Sequence, residues 1–92
     1  MINYKTIKES ESFRRPYHDD NLHTVQLIEL DSSYIVKDEL PCYWLVGVVG
    51  YINYRDQFVG AIHHYSSQKD AEDKYSELCE RYSVKEEEVF GV

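Results

Sequence analysis

The chain has 92 residues, enough for one domain spanning 1–92 that buries about 60–65% of its unfolded surface. Its aliphatic and aromatic content is ordinary for a folded protein, which argues against disorder. Seventeen acids oppose ten bases, a formal charge of −7 that disfavours nucleic acid and anionic membranes and suits a basic partner surface.

The first residues, "MINYKTIKES", contain no apolar signal region, which argues against secretion. No apolar run reaches the roughly 18 residues needed to span a bilayer. Ile2, Tyr4 and Thr6 alternate as a short edge strand would, and "ESESFRRPYHDDN" reads as a polar loop punctuated by Pro16. "HTVQLIEL" (residues 23–30) alternates as a strand with Val25 and Leu27 on one face. "DSS" after it is turn chemistry, since short polar side chains bond back to the nearby backbone. Pro41 then breaks the chain before "CYWLVGVVGY" (residues 42–51), whose two faces, Tyr43, Leu45, Val49, Tyr51 and Cys42, Trp44, Val46, Val48, are both apolar. That pattern predicts a central strand covered on both sides. "INYRDQ" reads as a turn, and "FVGAIHHY" (residues 58–65) as the returning strand of a hairpin.

Ser67 with Asp70 three residues on makes a weak capping box. A helix follows to about Tyr82, with Ala71, Tyr75, Leu78, Cys79 and Tyr82 on its inner face. The tail "SVKEEEVFGV" is either a further helical turn from Ser83 or an extended segment. The expected fold is α+β: a small antiparallel sheet of about three to four strands with one main C-terminal amphipathic helix. One helix cannot cover both faces of the sheet. The other face needs the N-terminal segment, the tail or a second copy, and a homodimer is expected because symmetric dimers are the commonest oligomer.

Few residues suggest reaction chemistry. His63 and His64 are adjacent in a predicted strand and point to opposite faces, so they cannot jointly hold a metal. A small enzyme using either histidine would need His18, His23 or a cysteine brought beside it by the fold. Cys42 and Cys79 lack metal or Cys-X-X-Cys spacing, which fits reduced intracellular thiols. Gly47, Gly50 and Gly60 form no phosphate loop, and Arg14–Arg15 is too short for a nucleic-acid patch against this charge. No catalytic residue, metal site or cofactor is therefore expected, and an enzyme is the weaker class.

The acids are more informative. Asp70, Asp73, Glu77 and Glu80 fall on one helix face, opposite the apolar one. Like-charge pairs at these spacings cost roughly 0.2–0.5 kcal/mol each, and Asp70–Lys74 and Glu77–Arg81 in the favourable order offset a similar amount. From Asp70 to Val92 eight acids, including Glu72 and the run Glu86, Glu87, Glu88, face only Lys74, Arg81 and Lys85. That is a net −5 of the total −7, so the charge is local. Along a helix such carboxylates rise ~4.5–6 Å per charge, against ~3.4 Å per phosphate along one DNA strand. Asp70, Asp73, Glu77, Glu80, Glu86, Glu87 and Glu88 are accordingly the candidate partner-binding, phosphate-mimicking acids. Asp19, Asp20, Asp38 and Glu39 are the alternative group.

The opening "MINYKTIKESESFRRP", the acidic, Tyr-rich composition and the end "DAEDKYSELCERYSVKEEE" together resemble the Arn family, anti-restriction DNA mimics of T-even bacteriophages. The resemblance implies a homodimer in the host cytoplasm that protects phage DNA from the restriction endonuclease McrBC, with the nucleoid protein H-NS as a further target. The net charge, for its part, argues against direct binding of nucleic acid or membrane. Lys74, Arg81 and Lys85 interrupt the acidic surface. An acidic interaction protein of the immunity or antitoxin type, binding a basic partner without imitating DNA, is the alternative expectation.

Overall fold

The computed structural model of the protein describes residues 4–14, 22–32, 35–37, 40–52 and 54–88. In chain order these form β1 (Tyr4–Ser10), β2 (His23–Leu30), β3 (Ile35–Lys37), β4 (Leu40–Cys42), β5 (Trp44–Ile52), β6 (Arg55–Tyr65), α1 (Gln68–Arg81) and β7 (Glu86–Glu88). Five strands make one antiparallel sheet in the order β6-β5-β2-β1-β7, while β3 and β4 pair separately. The expected α+β fold is present. Against the expected three to four strands, its sheet has four long ones plus the short β7 at one edge, so that β1 is not itself an edge strand.

Alternation in β2 builds the main core. Val25 pairs with Val48 and Leu27 with Val46, so these four side chains share a face. The helix lays Ala71, Tyr75, Leu78 and Cys79 on them, and all eight are buried. Each aliphatic side chain buried this way contributes roughly 1.5–3 kcal/mol. Half-buried Tyr82 and Val84 close one end of this layer. On the opposite sheet face Ile28, Leu30 and Leu45 form a smaller buried cluster with Phe58 packed against it. That second face is thus already part covered within one chain.

The hairpin is tighter than its composition suggests. Ile52 pairs with Arg55, so Arg55, Asp56 and Gln57 belong to β6 rather than to a six-residue turn. Tyr54 takes a left-handed conformation (φ 68°), which permits a two-residue connection and lets the ladder satisfy more backbone groups. Farther along, β6 takes four steps from Val59 to His63 while β5 takes two from Val48 to Val46. Gly60, at φ +82°, lies in this bulge, a conformation that a side chain would strain.

The described residues after β1 and after α1 are held by specific contacts. β1 extends to Ser10, and its buried hydroxyl accepts the Val25 amide at 2.8 Å. Phe13 exchanges two 2.8 Å backbone bonds with His23 and stacks on Tyr82 with ring centroids 4.8 Å apart. An aromatic ring in a polar segment gains by that burial. Helix α1 begins at the Ser67 N-cap, whose hydroxyl accepts the Asp70 amide at 3.4 Å. It ends because Ser83 turns left-handed (φ 56°), donating to the Glu80 carbonyl while Val84 donates to that of Cys79. These two bonds make a Schellman motif with apolar Val84 against the core. The tail therefore runs extended, pairing Ser10 with Glu86, Glu9 with Glu87 and Lys8 with Glu88. Ser33, Pro16, Val89 and Phe90 lie outside the described residues.

Candidate functional site

Because α1 buries Ala71, Tyr75, Leu78 and Cys79, residues half a turn away must face solvent. Asp70, Asp73, Glu77 and Glu80 are all exposed, as the sequence spacing requires. At about 1.5 Å of rise per residue the row is ~15 Å long from Asp70 to Glu80.

Cations border this row. Lys69 Nζ lies 3.1 Å from Asp73 Oδ2, Lys74 Nζ 2.7 Å from Glu77 Oε2, and Arg81 Nη2 3.8 Å from Glu77 Oε1. The expected Glu77–Arg81 pair is present. In place of the expected Asp70–Lys74 pair, Lys74 bonds to Glu77, so that Glu77 stands between two cations. The Lys74 hydrogen bond and charge hold the Glu77 carboxyl below its ordinary value, and the bond to Asp73 raises that of the Lys69 ammonium. Apart from half-buried Lys74 the partners are exposed, and exposed pairs are worth ~0.2–1 kcal/mol and weaken with salt. Among the described residues, Asp70 and Glu80 carry no ion pair. The row thus contains two carboxylates already answered by cations and two that are not.

The tail acids are only partly gathered to it. Exposed Glu86 accepts the Ser76 hydroxyl at 2.9 Å, which fixes it beside the helix. Glu87 and Glu88 occupy successive β7 positions in register with Glu9 and Lys8. Asp19, Asp20, Asp38 and Glu39 lie outside the described residues, as does His18.

Two partners had weak or no sequence signals. Lys69–Asp73 is an i,i+4 pair in the less favourable order and was legible by that spacing. Lys8 reaches from β1 to within 4.0 Å of half-buried Glu72 and stands 5.7 Å from the Tyr75 ring centre. Helical periodicity cannot announce a cation arriving from another strand.

The reactive residue types are placed as follows. His63 pairs with Val46 and His64 with Leu45, so the two rings occupy opposite faces as alternation requires. Burial, then the charge of Lys74, holds the His63 imidazole below its ordinary value. Burial pushes the Cys79 thiol up to about 11, which makes it a poor nucleophile, and Cys42 is buried as well. Among the described residues no three His, Cys, Asp or Glu side chains are placed to hold a metal ion. Among them, too, no helix is long and apolar enough to cross a membrane.

Comparison of the chain with known protein families, with curated proteins and with solved structures finds no match.

Proposed function

We propose that the protein is an acidic DNA mimic of the Arn type. It occupies the DNA-binding site of a basic host protein and catalyses no reaction. The observation that carries this is the exposed row Asp70, Asp73, Glu77 and Glu80 on a helix whose packing requires only polarity there. A helix holds such carboxylates at a repeat of the same order as backbone phosphates, and phosphate-directed sites bind without reading bases. Glu86, fixed by Ser76, widens the acidic surface beside the row. Following the family resemblance, the target is the restriction endonuclease McrBC, with H-NS as a further one. The protein acts as a homodimer in the host cytoplasm.

A second reading is favoured by a specific observation. Lys69, Lys74 and Arg81 interleave with the acids, a mosaic that suits recognition of one particular protein surface, as in an immunity or antitoxin protein. Competition separates the two. Labelled duplex DNA of unrelated sequence, bound to McrBC or H-NS, should be displaced by the folded protein, and added duplex should reverse the displacement. A complex that forms on the target but leaves its DNA bound is the outcome that rejects mimicry in favour of the second reading.

A further inference from the structure

The sheet face opposite the helix contains a hollow of ≈ 370 Å³ among β1, β2, β5 and β6. Its volume is that of a small-molecule site. Register puts its main walls on one face: Glu9 pairs with Gln26, Thr6 with Ile28, and Val49 with Phe58. Ile28, Val49 and Phe58 make an apolar floor. The Phe58 ring lies over Gly47, where a Cβ would come within 2.9 Å of Phe58 Cδ1, so the absence of a side chain at Gly47 lets that ring lie there.

The polar end of the hollow is one-sided in charge. Half-buried Glu9 accepts Gln26 Nε2 at 2.7 Å and Thr24 Oγ1 at 3.2 Å, both on Oε2. Both donors are neutral, so they orient the carboxylate without cancelling its charge. Exposed Asp56 adds a second carboxylate, which among the described residues makes no hydrogen bond or ion pair. None of the described lining residues is Lys, Arg or His. Tyr4, 59% exposed, supplies an aromatic ring at the rim.

We propose that this hollow binds a small organic cation, an ammonium or guanidinium carried on a short apolar stem. Its charge is met by Glu9, with Asp56 at longer range, and its stem covers Ile28, Val49 and Phe58. The ring of Tyr4 offers a cation its negative face. A charge held part buried by neutral donors attracts an opposite charge more strongly than one in open water. An anionic ligand would instead meet two carboxylates. The site lies across the sheet from the acidic row and does not depend on the DNA-mimic reading.

The test is a pair of titrations of the isotope-labelled full chain by NMR, with phenethylammonium and with its neutral counterpart 2-phenylethanol. The ammonium should shift the amides of Thr6, Gln26, Val49 and Phe58 and bind about tenfold or more tightly than the alcohol, the scale of one charge-assisted contact. Glu9→Gln should remove that preference. Should that variant fail to fold, Asp56→Asn on the exposed rim should reduce it by a few-fold. No shift in the hollow at ~10 mM ammonium, a very weak limit, overturns the proposal, and so does equal binding of the two compounds.

Discussion

The Ser76 hydroxyl donates to the Glu86 carboxylate at 2.9 Å, tying the exposed flank of the helix to the short last strand. Ser76 is half-buried and Glu86 exposed. The bond places one tail acid beside the helix row and helps dock β7 on β1. Replacing Ser76 with Ala should cost about 0.5–1 kcal/mol, the usual scale for one hydrogen bond. Amide exchange should quicken at Glu86–Glu88 before it does in β2. Unchanged exchange across β7 would show that the β1 ladder alone holds it.

The two faces of α1 should differ sharply under substitution. Leu78 is 4% exposed within the main core, so Leu78→Ala should cost ~2–5 kcal/mol in urea unfolding. Asp73 is exposed and loses only its pair with Lys69, so Asp73→Asn should cost less than ~0.5 kcal/mol. Equal costs would contradict the packing described.

Ser83 ends the helix at a positive φ without being glycine. Ser83→Gly removes the steric cost of that conformation and should stabilise the protein by about 0.5–1 kcal/mol. A loss of stability on thermal unfolding would mean that the serine side chain contributes more than the backbone strain costs.

This cap also shows where the sequence was legible and where it was not. Strand β2 matches its alternation at both ends, and α1 starts at the serine that its capping pattern marks. Both signals are local. The Schellman turn has no glycine to announce it, so Ser83 left a helical turn and an extended tail equally open. The pairing of β7 with β1 joins the two ends of the chain through polar residues, for which no periodicity exists. In the candidate site, the exposed row followed from spacing alone. Which lysine each carboxylate would take did not, because Lys74 has Asp70 four residues before it and Glu77 three after it, and spacing alone does not choose between them. The hollow around Glu9 needed four strands in register and was invisible beforehand.

His63 gives the pH response a sign. Burial first, then Lys74, Arg81 and His64, hold its folded-state pKa below the ordinary value, with Glu77 opposing. The unfolded chain therefore binds this proton more readily, and stability should fall as pH drops through about 6.5 and below. His63→Gln should flatten that part of the stability–pH curve, measured by denaturant midpoints from pH 7.5 to 5. An unchanged slope would assign the acid sensitivity to other groups.

The central claim is that a basic partner reads the acidic helix face. Its most direct measurement is binding of the parent and of the triple variant Asp73→Asn, Glu77→Gln, Glu80→Gln to McrBC across a salt series. The variant keeps the helix polar and should retain its circular dichroism, since every carboxylate it neutralises is exposed and only Lys74 among their partners is half-buried. Its affinity at low salt should fall about tenfold or more, with a shallower dependence on salt, because screened charge attraction is what has been removed. Equal affinity and equal salt slope for the folded variant and the parent would contradict the claim and leave the row a solvated face.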